Sequence, residues 1–282
     1  MSDALSAAAR TAIGQCLGVG SEESVVVVTD DEREPIGEAM YDAAAAVTDD
    51  VTLLRYPPSD QHGTEPPAPV AAAMAESDVF VAPTTKSLSH TRARGAACAA
   101  DARGATLPGI TQSVFETGLD ADYDAIDAAC DSVLAAVGDA STVRVTAPAG
   151  TDLTVEVGDR EWLADRGVVH APGAFSNLPA GEVFLAPETA SGTVVVDGTM
   201  LPHCRLESGR SVSIEVADGL VTTIDDDAVC ADVEAAAASV GDDAYTFAEL
   251  GIGTNVGVDR LVGSVLLDEK AAGTIHVAIG DN

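Results

Sequence analysis

Ser24-Val25-Val26-Val27-Val28-Thr29 is an unbroken, mostly β-branched run. That is the pattern of a strand buried on both faces, and such strands belong to parallel sheets covered by helices. The flanking sequence repeats the theme. Upstream, residues 2–17 read as a helix capped by Ser2 or Asp3, with Leu5, Ala8, Ala9, Ile13, Cys16 and Leu17 on one face. Downstream, the Ala-rich 34–47 is helical, 51–56 is a second strand and the Pro-rich 57–69 is a loop. Then come a short helix at 69–76, a strand at 78–82, a helix at 90–102, a strand at 105–110 and a long helix at 120–137. This β-α repetition predicts a parallel sheet with helices on both faces. No Gly-x-Gly-x-x-Gly follows the first strand, and Thr29-Asp30-Asp31-Glu32 would repel a pyrophosphate. A dinucleotide site is therefore not expected.

The pattern changes near residue 142. Val143-Arg144-Val145-Thr146 and 153–157 alternate on either side of a turn at 147–152, the signature of a hairpin. Further strands read at 182–186, 192–196, 212–216, 220–224 and 273–280, with a helix at 232–239. Asp197-Gly198 and Asp218-Gly219 supply hairpin turns. The expected fold class is α/β: a parallel-sheet α/β domain over 1–140, then a mainly antiparallel, β-rich (α+β) domain over 141–282.

Composition narrows the function. A chain of 282 residues with 46% hydrophobic content can bury a sizeable core. Against 14 basic residues stand 46 acids, a formal charge of −32 spread over the whole length. Such a charge self-repels at low ionic strength and is tolerable where salt screens it, within about 3 Å at 1 M. It reads as the acidic surface of a halophilic protein. The same charge disfavours nucleic acid and anionic lipid as partners. No apolar run approaches the roughly 18 residues of a membrane span. The start, Met1-Ser2-Asp3-Ala4, lacks the character of a secretory leader. Cys16, Cys98, Cys130, Cys204 and Cys230 are scattered, as reduced thiols of a cytoplasmic protein would be.

Four places carry candidate chemistry. The loop 83–91 follows the third strand at its carboxyl end, where open α/β sheets bind ligands. It holds Lys86, one of only two lysines, and His90. Two readings stay open there: Ser89 or Thr91 caps the next helix and His90 is incidental, or His90 contacts substrate. In Asn177-Leu-Pro-Ala-Gly-Glu-Val-Phe-Leu-Ala-Pro187, Glu182 sits in an apolar run fenced by prolines. If that run is buried, the acid must be neutralised, hydrogen-bonded or bound to a cation. Glu249 precedes Leu-Gly-Ile-Gly-Thr-Asn, where Gly251 and Gly253 let the backbone approach a neighbour closely. His276 shares a strand face with Thr274 and Ala278, opposite Ile275, Val277 and Ile279. Taken singly these read as an arginine-paired glutamate, a loop-capping glutamate and a structural histidine. Taken together they make a carboxylate-rich metal site.

Three stretches resemble the metal-binding motifs of the aminopeptidase T group of metal-dependent aminopeptidases. They are 177–187, Ala248-Glu-Leu-Gly-Ile-Gly-Thr-Asn255 and Asp268-Glu-Lys-Ala-Ala-Gly-Thr-Ile-His-Val-Ala-Ile-Gly280. Ala149-Gly150-Thr151-Asp152-Leu153 is a weaker fourth match. The resemblance implies a leucyl-aminopeptidase-like hydrolase acting on peptides through two divalent ions, zinc, cobalt or manganese. It implies Glu182, Glu249 and His276 as ligands, Glu249 as the bridging or basic residue, and a homodimer. The family continues past its strand histidine with a tyrosine and a His-x-Asp pair. Here Gly280-Asp281-Asn282 follows, so the expectation is a chain lacking that C-terminal segment. Around Glu269-Lys270 and Gly273-Thr274 the sequence looks more like a divergent branch that includes 2,5-dihydroxypyridine 5,6-dioxygenases. That branch implies one Fe(II), held by the equivalent of His276 together with a later histidine and aspartate, with His90 as the substrate-contacting histidine. A non-catalytic remnant is the third reading.

Overall fold

The computed structural model describes residues 2–280; Asp281 and Asn282, on which the expectation of a missing C-terminal segment rested, lie outside the described residues. The chain folds into two compact units that interleave in sequence. The first takes residues up to Asp127 together with Asp165–Ala180, and the second takes Ala128–Ala164 together with Gly181 onward.

In chain order the early elements are α1 (Asp3–Arg10), β1 (Val25–Asp30), α2 (Glu34–Ala45), β2 (Val51–Tyr56), α3 (Ala68–Glu76) and β3 (Val79–Thr84). They are followed by α4 (Arg92–Ala99), β4 (Arg103–Pro108), α5 (Gln112–Gly118) and α6 (Tyr123–Val137). Next come β5 (Thr142–Thr146), β6 (Asp152–Glu156), β7 (Leu163–Asp165), β8 (Phe175–Asn177), β9 (Glu182–Leu185) and β10 (Thr189–Val196). The chain continues through β11 (Thr199–Met200), β12 (Cys204–Arg205), β13 (Val212–Ala217), β14 (Leu220–Ile224) and α7 (Asp227–Val240). It closes with β15 (Phe247–Gly253), α8 (Val265–Asp268) and β16 (Ile275–Ile279).

The first unit is the predicted parallel α/β layer. Its sheet runs β2-β1-β3-β4-β8, and all four pairings in it are parallel. β1 and β3 are buried along their whole length, as their continuous apolar runs demand, whereas the edge strand β2 is half-exposed. β8 comes from sequence beyond residue 140 but pairs in parallel with β4, which places 165–180 in this unit. The helix expected from His90 begins at Arg92, because Thr91 is its N-cap and accepts from the Arg94 amide at 3.2 Å. α5 was not among the expected elements: it is seven residues long and buries Val114, Phe115 and Gly118. The strand expected at 105–110 sits two residues earlier, since Arg103 is drawn in by a bidentate pair with Glu23 at 2.7 Å.

The second unit is antiparallel. One sheet runs β14-β13-β10-β6-β5 and the other β16-β15-β9-β7. A single hydrophobic cluster draws Leu153, Val155, Val212, Ile214 and Val216 from the first sheet and Leu185, Phe247 and Leu250 from the second. Each such side chain, fully buried, contributes about 1.5–3 kcal/mol, so this cluster rather than any polar contact holds the two sheets together. Asp218-Gly219 is the expected turn, with both residues at positive φ, between β13 and β14. Asp197-Gly198 is not a hairpin turn: β11 beyond it pairs with β12 instead of returning along β10. The helix expected at 232–239 starts earlier, where Asp226 caps α7 by accepting from the Ala228 and Val229 amides.

The stretch 247–253, read from its glycines as a loop, is the central strand β15. It pairs with β9 on one side and β16 on the other. Between Phe247 and Glu249 its register against β16 shifts by one residue. This bulge decides what faces where. In a regular strand Phe247 and Glu249 would share a face. The extra residue lets Phe247 reach the core while Glu249 turns to the opposite side.

Candidate metal centre

Three strands of one sheet carry the candidate site, and register explains why their side chains meet. Gly251 lies opposite His276 on β16, and Gly253 lies opposite Glu182 on β9. Residues 249, 251 and 253 alternate on one face of β15, so Glu182, Glu249 and His276 share that face. The opposite face of the same strands, Val183, Leu185 and Leu250, is fully buried. Here Gly251 and Gly253 have specific tasks. A Cβ on Gly251 would collide with the His276 imidazole, and one on Gly253 would collide with the Ala271 carbonyl. The imidazole therefore lies over the strand where only glycine leaves room.

His276 Nε2 lies 3.1 Å from Glu249 Oε1 and 3.3 Å from Glu182 Oε2. One potential ligand atom from each of the three residues falls within 4.8 Å of the others. Glu182 is 8% exposed, and its partner is not the arginine that its acidity suggested but Lys270, whose Nζ donates to Glu182 Oε1 at 2.9 Å. Lys270 is 2% exposed and also donates to Glu269 Oε1 at 2.6 Å. The next residue upstream anchors this arrangement: buried Asp268 accepts from the Val262 and Gly263 amides and from Thr199 Oγ1. Asp268, Glu269 and Lys270 thus act as one unit, an anchor followed by an ion pair.

Burial pushes the Glu182 carboxyl above the usual range, Lys270 and His276 pull it down, Glu269 pushes it up, and the net direction is upward. Burial pulls the His276 imidazole down, but the Glu249 hydrogen bond and the carboxylates of Glu182, Glu269 and Glu249 more than offset it, so the imidazole holds its proton above the ordinary range. The Glu182 direction reports chiefly its burial, and the His276 direction reports the carboxylates gathered around the ring, which favour positive charge there.

A divalent cation suits these residues on three observations. Glu182 Oε2 is buried and accepts no hydrogen bond. The cluster holds three carboxylates, Glu182, Glu249 and Glu269, and one ammonium, leaving two formal negative charges when the imidazole is neutral. Two atoms bound at right angles to one ion, each at about 2.1 Å, stand about 3 Å apart, which matches the His276 contacts to both glutamates. One feature departs from common metal sites. His276 Nδ1 is buried without a hydrogen-bond partner, whereas a ligating histidine usually donates its second N–H.

His90 lies in the first unit, exposed, in the turn before Thr91. Glu269 and Lys270 are the site members that reading single residues missed. The available signal was the scarcity of lysine, two among 282 residues, which makes each one a considered choice.

The fold and this donor set define a candidate metalloenzyme. Residues 4–259 match the family model described as NicX, 2,5-dihydroxypyridine 5,6-dioxygenase, and the chain belongs to that family. Among solved structures it resembles the 2,5-dihydroxypyridine dioxygenase from Pseudomonas putida KT2440, with a TM-score of 0.77 at 18% identity over 99% of this chain and 86% of that one. It also resembles wild-type AmpT from Thermus thermophilus, with a TM-score of 0.65 at 16% identity over 98% and 85%. At such identities the two likenesses are of fold alone. No curated protein sequence matches the chain. Membership thus lies with the divergent branch, and the aminopeptidase T group enters as a structural neighbour. No helix among the described residues is long and apolar enough to cross a membrane.

Proposed function

We propose that this chain opens the ring of a hydroxylated pyridine of the 2,5-dihydroxypyridine type with dioxygen, at a single ferrous ion held by Glu182, Glu249 and His276. The observation that carries this reading is the family match over 4–259, joined to three donor groups converging on one sheet face. Ferrous iron, when bound, supplies the electron chemistry that lets ground-state dioxygen react with an electron-rich ring. The protein's own residues do the rest. Glu182 and Glu249 supply the negative charge that retains a dication, and His276 supplies a nitrogen donor at Nε2. Gly251 leaves room for the His276 ring over its strand and Gly253 for the Ala271 carbonyl, which lets the three donors gather on one face. A set of donors on one side is the arrangement that leaves open positions for substrate and oxygen. The substrate contact that the resemblance implies for His90 is part of the proposal, and His90→Ala should raise KM without removing iron.

A second reading keeps the same ligands and replaces dioxygen by a metal-activated water that hydrolyses an N-terminal peptide bond. One observation favours it: two carboxylates and one histidine, where mononuclear iron oxygenases generally use two histidines and one carboxylate.

Metal analysis after anaerobic Fe(II) loading and desalting tests the ligand set. The native chain should retain iron. Glu182→Gln, Glu249→Gln and His276→Ala should each weaken retention on the order of 100-fold, at or above the upper end of the effect of losing an outer partner. Equal retention in all four proteins would place the metal elsewhere.

A further inference from the structure

Among the described residues, the ammonium of Lys270 is the Lys or Arg charge packed directly against a candidate ligand, Glu182. Its Nζ lies 2.9 Å from Glu182 Oε1 and 2.6 Å from Glu269 Oε1, and its side chain is 3% exposed. Glu182 is thereby divided between two cationic positions. Oε1 belongs to the ammonium, while Oε2, which accepts no hydrogen bond, faces His276 Nε2 at 3.3 Å. A carboxylate whose two oxygens serve two positive centres is the bridging arrangement of two-metal sites, whose ions stand about 3.5–4 Å apart. Here one of those centres is covalently part of the chain. It is placed by backbone geometry, since the Lys270 carbonyl accepts from Asn255 N at 2.8 Å and its amide donates to Leu267 O at 3.1 Å. The Asp268 anchor two residues upstream fixes the same turn.

We infer that Lys270 is a built-in second cation: it fills the position between Glu182 Oε1 and Glu269 Oε1 and so restricts this site to one metal ion. Lys270 is a positioning residue that sets metal number and leaves only Glu182 Oε2 for the ion. Glu269 acquires a role by the same logic, as the second carboxylate of the filled position. This inference rests on the metal-site reading proposed above, and it also bears on the class of reaction. A mononuclear site suits oxygen chemistry on a chelating substrate, whereas a bridged pair suits water activation between two ions.

The test uses Mn²⁺ as the probe, with equilibrium dialysis for stoichiometry and electron paramagnetic resonance for spin coupling, on the full chain in molar KCl. The native chain should bind one Mn²⁺ with an uncoupled spectrum. Lys270→Met, which removes the charge and keeps the apolar stem, should bind two with a spin-coupled spectrum, because Glu182 and Glu269 are then free to hold an ion. Adding Glu269→Gln to Lys270→Met should return the count to one. Should Lys270→Met fold only when Mn²⁺ is present, the metal requirement itself supports the inference, since an ion then does the work of the ammonium. Two Mn²⁺ in the native chain, or one in Lys270→Met with an unchanged spectrum, would overturn it and leave the single-site reading standing. A Lys270→Met chain that stays unfolded at every Mn²⁺ concentration also counts against it, since an ion cannot then replace the ammonium. No Mn²⁺ bound by the native chain would remove the metal-site reading itself, a separable result.

Discussion

Glu249 and Gly251 show how much of a site is decided by two positions on one strand. Glu249 reaches the site face because of the bulge beside it, and Gly251 is the space in which the His276 ring lies. Gly251→Ala should therefore shift the imidazole. We expect a stability loss of about 1–3 kcal/mol from overpacking together with weaker metal retention, read by thermal melts with and without metal. A melt that changes while retention does not would show that the ring position is irrelevant to the ion. In the first unit, the Glu23 carboxyl is held below its ordinary range, chiefly by the Arg103 hydrogen bonds. A depressed carboxyl contributes stability that is complete above its unfolded value and is lost as pH falls through the folded one. Glu23→Gln should therefore cost about 2 kcal/mol near pH 7, and progressively less below pH about 4.5, as urea melts across that range would show. A cost independent of pH would mean that the pair acts by shape and not by charge.

At the scale of elements, strands with unambiguous chemistry were legible and those with divided loyalties were not. The all-buried runs of β1 and β3 announce themselves, because burial on both faces leaves no room for polar residues. β15 does not, because its site face carries glycine where a strand ordinarily carries bulk. The three site residues could be picked out as acids and a histidine among apolar neighbours, but their meeting depends on a register that no single segment encodes. Lys270 stayed hidden for the same reason: its partner Glu182 is 88 residues away in sequence. β8 was hidden too, being three residues from the second half of the chain that complete the first unit's sheet. Inserting one alanine between Ala278 and Ile279 tests the bulge, by giving Ala248 a partner on β16. It restores regular pairing and forces either Phe247 out of the core or Glu249 into it. We expect a loss of at least about 3 kcal/mol, comparable to truncating a buried phenylalanine, together with loss of metal retention. An insertion variant with native stability and retention would show that the strand re-registers freely.

For the whole molecule, the charge of −32 sets the conditions under which everything else is measured. Some acids are answered by arginines, as in the Arg144–Asp152 and Arg210–Asp226 contacts, but 14 basic residues cannot answer 46 acidic ones. Salt must therefore screen the remainder. The melting temperature should climb as KCl rises from 0.1 M toward 2 M, by about 2–4 °C for each kcal/mol of repulsion relieved. A flat response would mean that the acidic surface is energetically silent. The central claim concerns what the site does once such conditions are met, and oxygen uptake tests it most directly. Fe(II)-loaded protein in molar KCl, given 2,5-dihydroxypyridine in an oxygen electrode, should consume one dioxygen per ring opened, and the Glu249→Gln and His276→Ala variants should not. Absence of oxygen uptake, with zinc-, cobalt- or manganese-loaded protein releasing leucine from an amino-acyl amide instead, would contradict it.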